Sequence, residues 1–166
     1  MAQAYWHIRN CSLFQLLSDE QVRNLEDKAR VRRFEKGQSV YRPSDAAEGT
    51  YLLAEGRIRI CSLTPDARES ILGFVEPGEI FGELGLVEPG YREERAVAVV
   101  DSVVTYIPNE VILGLMDESK QLALGVTKLL GSRRKRIERR LRNLLFRTNK
   151  DRLKGLLVEL AEQYGT

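Results

Sequence analysis

Gly78-Glu79-Ile80-Phe81-Gly82-Glu83-Leu84, followed by Arg92 and the small-residue run Ala96-Val97-Ala98-Val99, sets the reading of this 166-residue chain. Two glycines, a carboxylate and an arginine share one short segment framed by apolar residues. Glycine lets a backbone turn where other residues clash, and it leaves its amide bare. Bare amides beside an arginine make an anion cradle. In such a cradle Glu83 holds a pair of sugar hydroxyls and Arg92 grips a phosphate with two parallel donors. Gly-Glu is also a common turn dipeptide, and a single arginine is common on a surface. The segment therefore takes its meaning from its surroundings.

Those surroundings read as β-structure. Between residues 30 and 107, short runs rich in Val, Ile, Leu and Tyr alternate with turn residues. The pattern predicts strands over 31–34, 39–41, 50–54, 57–62, 70–74, 96–100 and 103–107. The breaks fall at Lys36-Gly37, Arg42-Pro43-Ser44-Asp45, Glu55-Gly56, Thr64-Pro65-Asp66, Glu76-Pro77-Gly78 and Asp101-Ser102. Strands at this spacing indicate a sandwich or barrel, and we expect a jelly roll.

Helices flank the strands. Ser18 and Gln21 form a capping-box pair ahead of Val22, Leu25 and Ala29, predicting a short helix from Ser18 to about Ala29. Pro108 suits a helix start, with a short helix over 109–116. Asp117 is the expected cap of a long proline-free helix reaching residue 146, weakened slightly by Gly125 and Gly131. A last helix is expected over 151–164 after an interruption at Thr148-Asn149-Lys150. The class is α+β, mainly β. The expected domains are a barrel over 1–116, a dimerisation helix over 117–147 and the start of a third unit over 148–166.

The net charge of +2 hides an asymmetry. Residues 128–154 hold 12 Lys or Arg and two acids, whereas the remainder holds 14 basic and 22 acidic residues. A basic end on an acidic body points to a polyanion such as nucleic acid, although a solvated arginine-rich helix face has the same composition. The long helix also repeats Ala123, Leu130, Ile137 and Leu144 every seven residues, with Leu141 beside the row. That is one row of a coiled-coil seam, and it predicts a homodimer. No stretch of about 18 apolar residues exists to span a membrane, and no signal-peptide pattern opens the sequence, so the expected location is cytoplasmic. Cys11 and Cys61 make no disulfide framework.

This organisation resembles the Crp/Fnr family of bacterial transcription regulators. The carrying residues are Lys36-Gly37-Gln38, Glu55-Gly56-Arg57-Ile58, Gly73-Phe74 through Pro77-Gly78, and Phe81-Gly82-Glu83-Leu84-Gly85-Leu86, together with the strand after Arg92 and the long helix. The resemblance implies a jelly-roll, cyclic-nucleotide-binding-like sensor barrel, a dimerisation helix and a winged helix-turn-helix that binds DNA. Residues 151–161 look like the first helix of that last domain. No recognition helix follows, so the chain reads as truncated, with DNA engaged by a C-terminal domain not contained in it.

The implied effector pocket lies between barrel and long helix and comprises Gly82, Glu83, Leu84, Arg92, Glu93, Ile137 and Glu138. Gly82 and Glu83 match the family's cradle glycine and ribose-binding glutamate, and Arg92 matches its phosphate-binding arginine. Cyclic AMP binders follow that arginine with a small hydroxyl residue, where this chain has Glu93. They meet adenine with two hydroxyl residues on the long helix, where this chain has Ile137 and Glu138. The sequence therefore leaves the effector unassigned: the resemblance implies a small molecule, of which a cyclic nucleotide is one candidate and cyclic AMP itself is disfavoured.

Other chemistries fit less well. An iron–sulfur cluster takes four thiolates and the chain has two cysteines. A cupin-type metalloenzyme needs several inward histidines, and the single histidine, His7, lies outside the expected barrel. No catalytic triad, HExxH or phosphate-binding loop is present, so no enzymatic activity is expected. The remaining alternative is a stand-alone cyclic-nucleotide-binding module without DNA binding, against which the basic helix argues.

Overall fold

The computed structural model describes residues 2–63, 68–146 and 149–164. Two helices come first, α1 (Ala2–Asn10) and α2 (Asp19–Lys28), with a 3-10 turn Ser12–Phe14 between them. The capping box expected at Ser18 is present. The Ser18 hydroxyl accepts from the Gln21 amide at 3.2 Å, and the Gln21 side chain accepts from the Ser18 amide at 3.1 Å. Val22 and Leu25 are the buried face of α2.

Eight strands follow: β1 (Arg30–Phe34), β2 (Ser39–Tyr41), β3 (Gly49–Glu55), β4 (Ile58–Leu63), β5 (Glu69–Val75), β6 (Ile80–Phe81), β7 (Glu94–Ala98) and β8 (Ser102–Pro108). They form two antiparallel four-stranded sheets, ordered β1-β8-β3-β6 and β2-β7-β4-β5. Val40, Tyr41, Ile58, Val75, Ala96 and Ala98 of the second sheet and Tyr51, Leu53, Phe81 and Val104 of the first belong to one buried cluster. Both sheets turn side chains into this one shared interior, β3 through Tyr51 and Leu53 and β7 through Ala96 and Ala98 at two-residue spacing.

Four short elements have no counterpart in the sequence pattern. They are α1, the 3-10 turn Ser12–Phe14, the two-residue strand β6 and the single-turn helix α3 (Leu84–Val87). β6 pairs with β3, Phe81 opposite Tyr51, and so carries the 82–84 segment against the barrel interior. The strand expected over 96–100 starts and ends two residues earlier, because Val99 and Val100 already belong to the turn into β8. Asp117 does not cap the long helix. It continues α4 (Asn109–Glu118), and the extended Ser119 caps instead, its hydroxyl accepting from the Leu122 amide at 3.2 Å. The turn expected at Thr64-Pro65-Asp66 and the residue Thr148 lie outside the described residues. Asn149 and Lys150 are helical rather than an interruption.

The long helix α5 spans Lys120–Phe146 and is followed by α6 (Asn149–Tyr164). The chain packs as two compact units, Met1–Ala123 and Leu124–Thr166. No helix among the described residues is long and apolar enough to cross a membrane.

His7 ties α1 to the first sheet, its Nδ1 lying 3.0 Å from the Thr105 hydroxyl of β8. Burial pushes its pKa below the ordinary 6.5, outweighing the opposite pull of Glu55. The unfolded chain therefore binds the proton more readily than the folded one. Stability from this group is complete above about pH 6.5 and is lost as pH falls through that value towards the folded pKa. Urea midpoints at pH 7.5 and 5.5 should fall further apart in the wild type than in His7→Gln. Equal spacing in both proteins would show that the imidazole titrates freely.

Candidate functional site

The site is built where β6, β7 and the entry to β3 meet. Gly82 follows β6 with φ +71. A Cβ here would stand 2.8 Å from Arg92 Nη1 and 3.2 Å from the Tyr51 ring, so the glycine is required by close approach as well as by conformation. The backbone of Arg92 is fixed on both sides by the 42–45 turn that follows β2. Its amide donates to the Asp45 carbonyl and its carbonyl accepts from the Ser44 amide, both at 2.8 Å. The side chain then points into the protein and is only 6% exposed.

The guanidinium of Arg92 is engaged from several directions. Nη1 donates to the Gly82 carbonyl at 2.6 Å, and Nη2 donates to the Gly49 carbonyl. The carbon Cζ lies 4.5 Å from the centre of the Tyr41 ring and 5.6 Å from that of Tyr51. Nε is buried with no hydrogen-bond partner. Cations over aromatic faces are held by the ring quadrupole, most strongly away from water. The rings of Tyr41, Tyr51 and Phe81 lie against one another at centroid distances of 5.3 to 6.2 Å, forming the apolar wall of the site. The Tyr41 hydroxyl donates to Glu94 Oε1 at 2.6 Å. Burial first, and the Glu94 carboxylate second, raise the Tyr41 phenol well above its ordinary pKa, so it stays a donor.

The sequence-selected residues divide into two groups. Gly82, Glu83 and Arg92 are brought together and buried, Glu83 being 3% exposed. Leu84 is 56% exposed at the start of α3, and Glu93 faces solvent. The carboxylate turned inward beside Arg92 is Glu94, one residue further on. Alternation from Arg92 places it on the face that carries Ala96 and Ala98. Tyr41 and Glu94 were missed by sequence reasoning, and only the period-two count from a buried Arg92 marks Glu94. Ile137 and Glu138 lie in the second unit. Ile137 is exposed, and Glu138 accepts from Arg134 Nε at 2.7 Å.

Asn109 fastens the start of α4 to β3 and to the segment just before it. Its Nδ2 donates to the Ala47 carbonyl at 2.8 Å, and its Oδ1 accepts from the buried Thr50 hydroxyl at 2.9 Å. Asn109→Ala strands both partners away from water, so we expect a loss of about 2 kcal/mol in urea unfolding. An unchanged midpoint would mean that water reaches Ala47 and Thr50.

In the second unit, α6 folds back on α5. Arg140 Nε donates to Glu159 at 3.2 Å and Arg139 to Glu162 at 3.4 Å. Of the expected seam, Leu130 is half-buried and Ile137 and Leu141 are exposed, while Ala123 closes the first unit. The Leu144 side chain lies outside the described residues. Leu145, exposed at 64%, continues the Ile137–Leu141 row at four-residue spacing and is not part of the seven-residue repeat. Both cysteines are buried. Burial pushes the Cys11 thiol up to about 11 and raises that of Cys61, which leaves little thiolate for redox chemistry. Among the described residues no group of three or more His, Cys, Asp or Glu is arranged around a metal site.

The sequence pattern of the cyclic nucleotide-binding domain matches residues 31–119. The cyclic AMP receptor protein of Thermus thermophilus is 28% identical over 156 residues, 94% of this chain and 72% of that protein. The CRP-like cAMP-activated global transcriptional regulator of Mycobacterium tuberculosis is 22% identical over 159 residues, 96% of this chain and 71% of that protein. The crystal structure of the sensor domain of the transcriptional regulator DNR from Pseudomonas aeruginosa superposes with a TM-score of 0.71 at 27% identity. That match covers 80% of this chain and 90% of the sensor domain.

Proposed function

Since the chain belongs to the cyclic nucleotide-binding domain family, in its Crp/Fnr group, we propose that it is the effector-sensing and dimerising part of a cytoplasmic transcription regulator. One observation carries the reading. A two-sheet barrel with an arginine and a glutamate buried in its interior is joined in one chain to a 27-residue helix. That helix exposes Ile137, Leu141 and Leu145 among arginines.

Each part has a role in the proposal. The barrel interior around Gly82, Glu83 and Arg92 is the sensing region. The exposed row on α5 is the dimer seam, because an apolar stripe at this spacing is covered by a second helix in a stable assembly. DNA contact is assigned in this proposal to neither the barrel nor α5. An effector acts only through its differential affinity for two arrangements of the dimer, so sensing is a shift of population and no reaction is required. Ile137 and Glu138, exposed on α5, belong to the proposed signalling surface rather than to the polar centre of the barrel.

Sedimentation equilibrium tests the reading. Residues 1–166 should sediment as a dimer at micromolar concentration. Ile137→Glu with Leu141→Glu should give a monomer whose barrel unfolds at an unchanged urea midpoint. A wild-type monomer, or a dimer indifferent to both substitutions, would remove the seam. Tight sequence-specific DNA binding by these residues alone would remove the division of labour.

A further inference from the structure

Resting on the reading of the barrel as the sensing unit, we propose that Glu94, acting through Tyr41, is the residue that closes this barrel to phosphate-bearing effectors. A cyclic nucleotide is the ligand the family implies, and its diester needs an accessible guanidinium in a positive surrounding. The residues present do not fit that requirement. Arg92 is spent internally, two of its nitrogens already donating to the carbonyls of Gly82 and Gly49. Its face is covered by the Tyr41 ring at 4.5 Å. A phosphate at Arg92 competes with both carbonyls for the same cation.

Tyr41 is held over the guanidinium by its hydroxyl bond to Glu94 at 2.6 Å, the short distance of a bond to a charged acceptor. The Tyr41 oxygen thus contacts the Glu94 carboxylate while its ring lies over the Arg92 guanidinium. An incoming diester meets the Glu94 carboxylate behind the ring that covers Arg92, and like charges repel strongly where water is scarce. The space beside the small residues Ala96 and Ala98 is also taken, because the rings of Tyr41, Tyr51 and Phe81 pack in the same cluster. The barrel's own arginine, caged by aromatic rings, occupies the polar centre.

The test titrates cyclic AMP and cyclic GMP into the full 166-residue protein, read by calorimetry and thermal shift. The wild type should show neither heat nor stabilisation at millimolar nucleotide. Tyr41→Leu with Glu94→Ser, which removes the ring and the charge, should bind at least about tenfold more tightly than the wild type. Glu94→Gln, nearly isosteric and able to keep the Tyr41 bond, should gain a smaller increment, and it decides the matter if the double variant fails to fold. Micromolar binding by the wild type overturns the proposal and leaves the sensor reading standing. So does the absence of any gain in a folded Glu94→Gln protein. Dimerisation is untouched by either result, so the failure of this inference and that of the proposed function remain distinguishable.

Discussion

Arg92→Met should lower the unfolding free energy by about 3 to 5 kcal/mol, the range for breaking one partner of a buried charged network. Met fills much of the volume, so the loss isolates the guanidinium. Two hydrogen bonds from a charged donor disappear, each of a kind worth about 1.5 to 3 kcal/mol. The carbonyls of Gly82 and Gly49 are left facing a thioether, and the contacts to Tyr41 and Tyr51 vanish. Arg92→Lys should recover little of this. A lysine has one nitrogen on a flexible stem and does not reproduce a planar fork that spans two carbonyls while lying flat on a ring. Urea denaturation followed by tyrosine fluorescence and circular dichroism measures the effect. A loss below about 1 kcal/mol would place the guanidinium in water, in the range of a surface substitution.

Gly56→Ala should cost about 3 kcal/mol, through two effects that add at one position. Gly56 turns the chain between β3 and β4 at φ +94, a region L-residues avoid. A Cβ there would stand 2.6 Å from the Asp101 carbonyl oxygen and 2.8 Å from the Ser102 Cα, both backbone atoms of the neighbouring turn. Neither moves without opening the β7–β8 connection, where the Ser102 hydroxyl donates to the Val100 carbonyl at 2.7 Å. Gly37 supplies the control. It has a similar φ of +87, and a methyl group there would meet no atom within 4 Å, so Gly37→Ala should cost only the conformational part, about 1 kcal/mol. Equal losses at the two positions would show that the close turn at 101–102 yields freely.

The strands were legible because turn residues bracket short runs rich in Val, Ile, Leu and Tyr, as the runs ending at Ala54 and opening at Arg57 on either side of Glu55-Gly56 illustrate. The helix after Ser18 was legible because its capping box is local chemistry. What stayed hidden was either too short or too distant in sequence. β6 is two residues long and has no period to read. α1 begins with Ala-Gln-Ala, which carries neither a capping residue nor an acidic first turn. Asp117 and Ser119 are both competent caps by type, and only the length of α4 decides between them.

The site divides along the same line. Gly82, Glu83 and Arg92 are close in sequence, and their grouping is visible there. Glu93 adjoins Arg92 in sequence, yet side chains alternate across a strand and the inward carboxylate is Glu94. The partner that completes the arrangement, Tyr41, comes from β2, 51 residues before Arg92, and strand pairing alone brings it there. Its size is as informative as its position, since a ring at 41 covers a guanidinium that a smaller residue would expose.

Everything proposed for the barrel depends on Arg92 being held inside it by two carbonyls and an aromatic face. Nitrogen-15 NMR of the arginine side chains reads that environment at the atom concerned. One Nε–H resonance should exchange slowly with water and show nuclear Overhauser contacts to the Tyr41 ring. It should be absent from Arg92→Met and unmoved by millimolar cyclic AMP. An Arg92 Nε–H that exchanges as fast as those of surface arginines, shows no contact with Tyr41, or shifts on addition of the nucleotide would mean that the guanidinium is open to solvent and ligand.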